Sequence, residues 1–172
     1  MSVEFSPFDN EGRLIALEFN NFVLINIYVP NAGENLKRMD YRIKWDKKFR
    51  SYLKHINKKL LITGDFNVAF DKHLDIWNPN YDDKPGTTIE ERSNFKKLLD
   101  IGLVDTYRKL YKTNKDYTYW SYRGGSFNNN RGWRLDYFVI SKTLLNKVKK
   151  SKVIKMLKYP SDHAPILLDI SK

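Results

Sequence analysis

Leu60-Leu61-Ile62-Thr63-Gly64-Asp65-Phe66-Asn67 decides the fold: four apolar or β-branched residues run without a break into a glycine and then into polar groups. A short apolar run of this kind fits a strand buried on both faces, and a Gly-Asp that follows it marks the strand's end. Working outward, Arg13 to Phe19 and Phe22 to Val29 are β-rich, and Asn20-Asn21 between them suits a tight turn, so a hairpin is predicted before the strand. Asn35 to Asn57 reads as a helix. Phe49, Leu53 and Ile56 recur at helical spacing there, while Lys47, Lys48, Arg50, Lys54 and Lys58 take the polar side.

Beyond the strand, a second helix is predicted over Ile89 to Asp100. Thr88 and Glu91 are spaced as a capping box, and Gly102 stands just past its end. Loops are expected over Asn78 to Thr88 and Arg123 to Gly132. Strands are expected over Tyr117 to Tyr122, Arg134 to Ile140, Lys152 to Met156 and Pro165 to Ile170. Strands interspersed with two helices predict a layered α/β fold. The stretch before Arg13 carries no strand pattern.

With 172 residues, 41% of them hydrophobic and 15% aromatic, the chain has material for one domain with a core. Lys and Arg total 31 against 20 Asp and Glu, a formal +11, which fits either a polyanionic partner or a plain solubility charge. Cysteine is absent, so disulfides and thiolate metal sites are excluded. No apolar run approaches the roughly 20 residues of a membrane span, and Met1 to Phe8 lacks the parts of a signal peptide. A soluble intracellular protein is expected.

Three polar clusters fall where strands end: Gly64-Asp65-Phe66-Asn67, Arg134-Leu135-Asp136-Tyr137 and Ser161-Asp162-His163-Ala164-Pro165. Singly, each reads more often as a turn former or helix cap than as a catalytic group. Together they supply what phosphodiester hydrolysis needs: carboxylates for a hard cation, a base for water, and a donor for charge developing on phosphorus. An oxygen-rich set suits magnesium better than zinc.

These clusters, with Tyr28-Val29-Pro30-Asn31-Ala32-Gly33 ahead of them, occur in the order of one known family. The chain resembles the exonuclease III and AP-endonuclease family of the endonuclease/exonuclease/phosphatase superfamily, and the likeness spans Tyr41-Arg42, Trp45-Asp46 and Glu91-Arg92 as well. The resemblance implies part of a DNase I-like, four-layered α/β sandwich, with residues 1–172 forming a single partial domain. It implies a DNA-repair phosphodiesterase, an AP endonuclease and 3'-5' exonuclease, cleaving the backbone of double-stranded DNA at abasic sites by metal-activated water. The cofactor would be Mg2+, or Mn2+ in its place.

By the same resemblance Asp65 orients or deprotonates the water, Asn67 contacts the scissile phosphate, and His163 binds it while paired to Asp136. Tyr28 approaches that phosphate, and Asp65, Asn67, Asp162 and His163 hold the metal. Asn31 and Asn78 contact DNA, and Tyr119, Trp133 and Leu135 wall a pocket for the abasic sugar. Trp133 and Tyr119 read alternatively as core aromatics. Glu34 departs from the pattern, since some relatives place a basic residue there against the DNA backbone. The family's amino-terminal segment, with an early Asn and a metal-binding Glu, has no match before Arg13. The chain is therefore expected to be a truncated form, to be completed by an amino-terminal fragment, or a silent fragment that only binds DNA. Its compartment would be the nucleus in a eukaryote or the cytoplasm in a bacterium.

Overall fold

The computed structural model describes residues 2–5, 8, 10–155 and 160–171. A six-stranded sheet runs through its centre in the order β1-β2-β3-β4-β6-β5. These strands are β1 (Ser2–Phe5), β2 (Leu14–Glu18), β3 (Phe22–Tyr28), β4 (Lys59–Asp65), β5 (Leu103–Asp105) and β6 (Asp136–Ser141). Among the described strands only β3 and β4 run parallel, and the helix α1 (Met39–Lys54) makes the crossover that a parallel pair requires. A second helix, α2 (Ile89–Leu99), and the short α3 (Thr106–Leu110) follow, and β7 (Val148–Val153) pairs with β8 (Ile166–Ile170) in a separate two-stranded sheet.

Strand periodicity sorts the apolar residues onto two faces. Val23, Ile25 and Ile27 of β3, Leu60 and Ile62 of β4, and Tyr137 and Val139 of β6 meet Trp45, Phe49 and Leu53 of α1 and Phe95 and Leu98 of α2. Leu24, Leu61, Phe138 and Ile140 point the other way, toward Leu144 and toward Leu168 and Ile170 of β8. The layers are thus helix pair, six-stranded sheet and two-stranded sheet.

The hairpin and the buried strand form as the sequence predicts, with Phe19 N–H donating to Phe22 O at 2.9 Å across the Asn20-Asn21 turn. The capping box of α2 forms with both of its hydrogen bonds. Five expectations are corrected. Ser2–Phe5 is a strand, because an edge strand needs one neighbour only, and β2 supplies it through Val3 opposite Leu17. The first helix starts at Met39, since Asn35 and Leu36 have φ of 54° and 60°, outside the right-handed helical region. Tyr117 to Tyr122 is not a strand: Tyr119 makes isolated bridges to Trp133 and His163, and Trp133 O accepts from both Thr118 and Tyr119 N–H. The strand expected from Arg134 starts at Asp136, because Arg134 N–H is taken by Asp75 O at 2.7 Å. The strand expected over Lys152 to Met156 begins earlier, at Val148, and Met156 lies outside the described residues. No helix among the described residues is long and apolar enough to cross a membrane.

Candidate active site

Sheet register brings the site together. Tyr28 at the end of β3 pairs with Asp65 at the end of β4, and Asp65 pairs in turn with Asp136 at the start of β6, so three residues far apart in sequence form one row across the sheet. Gly64 permits the close approach of β3 and β4 just before that row: its φ is 125°, and a Cβ there would overlap the Ile27 carbonyl oxygen. The row opens into a cleft of about 580 Å³.

The floor is polar and tightly bonded. Asp65 accepts from Asn67 N–H at 2.7 Å through Oδ1 and from Asn67 Nδ2 at 3.1 Å through Oδ2. Asn67 Nδ2 also donates to Val29 O at 2.9 Å, and its Oδ1 accepts from Asn31 Nδ2 at 2.9 Å. This carboxamide, 5% exposed, sits in left-handed backbone at φ 48° and links two loops that face the cleft. Beneath it lies Arg42, which hydrogen-bonds to Pro30 O, Phe66 O and Asn67 O.

Across the floor, His163 Nδ1 lies 2.8 Å from Asp136 Oδ2, and Thr118 Oγ1 accepts from the N–H groups of Leu135 and Asp136 beside it. Burial alone would lower the imidazole's pKa. The hydrogen bond and charge of Asp136, with the charges of Asp65 and Asp162, outweigh it and leave the pKa above its ordinary value. For Asp65, burial first and the negative charge of Asp136 second push the carboxyl up to about 7, against the Asn67 N–H and the charges of His163 and Arg42. The site therefore pairs a carboxylate that accepts a proton near neutrality with a histidine that favours its cationic form.

One wall is aromatic. Trp133, Tyr119, Trp77, Tyr81 and Leu135 line it, with Arg131 stacked 5.3 Å over the Trp77 ring. A buried charge network braces that wall. Arg134 holds Asp75 in a bidentate pair at 2.8 and 3.0 Å and reaches Asp105 at 2.7 Å, so the segment leading to Trp77 and the one carrying Trp133 share one anchor. Burial would raise Asp75, but the Arg134 cation and its hydrogen bonds hold it below the usual carboxylate range.

The sequence pattern of the endonuclease/exonuclease/phosphatase family matches residues 2–163, the stretch that contains every strand end of this row. The chain belongs to the endonuclease/exonuclease/phosphatase family. It is 47% identical over 164 residues to a DNA-(apurinic or apyrimidinic site) endonuclease of Dictyostelium discoideum, covering 92% of this chain and 45% of that protein. An exodeoxyribonuclease of Streptococcus pneumoniae is 42% identical over 170 residues, covering 96% of this chain and 61% of its own length. The chain thus spans about half the length of the curated relatives it matches. The crystal structure of an AP endonuclease from Leishmania major superimposes with a TM-score of 0.86 at 28% identity, over 95% of this chain and 56% of the other. An AP endonuclease from Archaeoglobus fulgidus does so with a TM-score of 0.87 at 27% identity, over 99% and 70%. The fold is accordingly the DNase I-like α/β architecture of those enzymes, represented in part.

Within this family chain, the cleft gathers Tyr28, Asn31, Asp65, Asn67, Tyr119, Trp133, Leu135, Asp162 and His163 of the residues expected from sequence. Asp136 stands behind His163, off the cleft surface. Asn78 is not brought to the cleft; its Oδ1 accepts from Asn80 N–H at 3.1 Å within its own loop. Trp77, Tyr81 and Arg131 are lining residues that sequence reading missed. Trp77 had a signal, its position inside Asp75-Ile76-Trp77-Asn78-Pro79, whereas Arg131 is placed only by tertiary packing. Trp133 is partly exposed on the cleft, which weighs against a purely core role.

Among the described residues, no three His, Asp or Glu side chains are gathered closely enough to hold an ion. Asp65 and Asp162 are hard oxygen donors suited to magnesium, and their hydrogen bonds leave Asp65 further lone pairs and His163 its Nε2, but these groups are not gathered into one cluster. The set expected to hold the metal does not fit a complete ion site by itself.

Proposed function

We propose that this chain carries the phosphate-cleaving face of a DNA-repair nuclease, an AP endonuclease with 3'-5' exonuclease activity on double-stranded DNA. The observation that carries the reading is the row Tyr28, Asp65 and Asp136, with the Asp136-paired His163 facing Asp65 across a cleft that has one aromatic wall. In this reading Asp65 takes the proton of the attacking water, its carboxyl at about 7 matching the working pH. Tyr28 Oη donates to the phosphate, Asn67 lies against it while its two Nδ2 hydrogens hold Val29 O and Asp65 Oδ2, and His163, held by Asp136, places positive charge where the phosphorane develops it. Trp133, Tyr119 and Leu135 receive an extruded abasic sugar, since apolar walls suit a sugar that carries no base. The net charge of +11 supports a polyanionic substrate.

The relatives' names support the assignment: the four proteins above are named as AP endonucleases or an exodeoxyribonuclease, and a further structural match at 28% identity, a Neisseria 3' phosphatase, is described bound to a product DNA hairpin. We assign residues 1–172 to one partial domain. Its magnesium, or manganese, would take further ligands from a complementing amino-terminal segment. The partial exposure of Leu168 and Ile170 on β8 supports the packing of such a segment there. The compartment is intracellular, nuclear in a eukaryote or cytoplasmic in a bacterium.

A second reading is favoured by the incomplete ion site: a silent fragment that binds DNA through its basic surface. The test is incision of an abasic duplex, with and without magnesium, by the chain alone and mixed with the amino-terminal half of a relative. Magnesium-dependent incision in either case supports the enzyme, and binding without incision in both supports the silent fragment.

A further inference from the structure

Arg42 lies wholly beneath the cleft and touches none of the surface that a substrate would meet. It is 2% exposed, on the inner side of α1. Its Nη1 donates to Pro30 O at 2.9 Å and Asn67 O at 3.1 Å, its Nη2 to Phe66 O at 2.9 Å, and its Nε to Asp46 Oδ2 at 3.0 Å. Glu91 Oε1 stands 3.8 Å from Nη1 and balances the charge, while Oε2 of the same residue closes the cap of α2.

The three carbonyls belong to two different loops. Pro30 immediately precedes Asn31, and Phe66 and Asn67 immediately follow Asp65. Asn67 in turn occupies the left-handed region, which a residue other than glycine holds only when its surroundings over-determine it. Those surroundings are the Asp65 carboxylate above and the Arg42 guanidinium below. A planar fork with five N–H donors reaches three carbonyls and a carboxylate at once, whereas an ammonium offers a single compact charge.

We infer that Arg42 is a positioning residue: by drawing Pro30 O, Phe66 O and Asn67 O onto one guanidinium, it sets the spacing of Asn31 and Asn67 and so aims the polar floor of the cleft. A merely structural arginine would tie α1 to the sheet and affect the floor no more than any other loss from that helix. The inference rests on the phosphodiesterase reading only where cleavage is measured, so the primary test does not use cleavage.

That test is NMR of the 172-residue chain with 15N-labelled asparagine, comparing Arg42→Lys with Leu53→Ala, a core truncation on the same helix. Arg42→Lys is expected to shift the side-chain amide signals of Asn31 and Asn67 and to speed exchange of the Asn67 backbone amide roughly tenfold or more. Leu53→Ala should lower the melting temperature at least as far and leave those signals in place. Unmoved signals in Arg42→Lys, or equal movement in both variants, overturn the inference. If Arg42→Lys does not fold, Asp46→Asn loosens the guanidinium from its Nε side and must shift the same two residues for the inference to stand. In any preparation that cuts an abasic duplex, Arg42→Lys should lower kcat roughly 10- to 100-fold with KM nearly unchanged. A loss confined to KM counts against positioning. If no preparation cuts, the phosphodiesterase reading fails, and the NMR comparison still decides what Arg42 does.

Discussion

The two faces of the central sheet are built unequally. Toward α1 and α2 the sheet meets a continuous apolar layer that includes Trp45, Phe49, Leu53, Phe95 and Leu98, each nearly inaccessible. Toward β7 and β8 the buried apolar residues among those described are Leu61, Ile140 and Leu144, and their neighbours Phe22, Leu24, Phe138, Leu168 and Ile170 are only partly covered. No residue of β8 is buried. The candidate site straddles this divide. Asn67 is anchored from the helix side through Arg42, whereas Asp65 shares the Leu61 face of β4, and Asp162 and His163 sit just before the weakly packed β8. Half of the site is therefore held from the helix side, and half by a few polar contacts such as Trp120 N–H to Asp162 O at 2.9 Å and Ala164 N–H to Thr118 O at 2.7 Å.

The largest effect we expect lies on the helix side. Phe49→Ala should cost about 3–5 kcal/mol in urea unfolding, because it removes a large buried ring, and Leu168→Ala should cost roughly half as much or less. Equal losses would erase the contrast between the faces.

The polar contacts of the other half are tested by His163 and Asp136. In a preparation that cleaves abasic DNA, His163→Ala should slow cleavage roughly 100-fold, and the double replacement with Asp136→Ala should lose far less than the product of the single losses. Independent multiplication of the two effects would mean that the histidine works without its partner.

A smaller effect concerns pH. The Asp65 carboxyl is raised from 3.8 to about 7, so between those values the folded chain holds more protons than the unfolded chain, and stability falls as pH rises. Below pH 4 the penalty vanishes, and above pH 7 it is complete. Asp65→Asn should therefore raise the unfolding free energy at pH 8 by on the order of 1 kcal/mol, the relief of charge burial being partly offset by weaker hydrogen bonds to Asn67. Thermal melts at pH 8 and pH 4 check it: a gain of the same size at both would show that the charge is not responsible.

The smallest effect belongs to the surface of β7, where Lys149, Lys150 and Lys152 are exposed. Lys150→Ala should weaken duplex DNA binding uniformly across sequences and reduce the slope of log affinity against log salt by about 1. An unchanged slope would place the DNA away from this sheet.

What could be read in advance follows the same divide. The apolar run Leu60 to Thr63, the Asn20-Asn21 turn and the Thr88-Glu91 cap are local patterns, each decided by residues within a few positions of one another. Ser2–Phe5 was hidden because an edge strand needs one partner and little apolar content. Tyr117 to Tyr122 misled in the other direction: its aromatic residues suit a strand, but its partners are single bridges to Trp133 and His163. In the site, the candidate residues were found at the cleft, except Asn78 and Asp136, which stands behind His163. Arg42, Asp46, Glu91 and Asp75 act from below as buried charges, and no spacing announces that Arg42 will meet carbonyls from residues 30, 66 and 67.

The glycine at position 64 carries a consequence for heredity. Any missense change in its codon adds a Cβ, and every such atom would overlap the Ile27 carbonyl oxygen in the adjoining parallel strand. The chemistry of the new side chain hardly matters, because the overlap is common to all of them. Alleles altered at this codon should thus behave alike, as losses of function that no conservative replacement softens and that a compensating change elsewhere could rescue only by prising β3 away from β4.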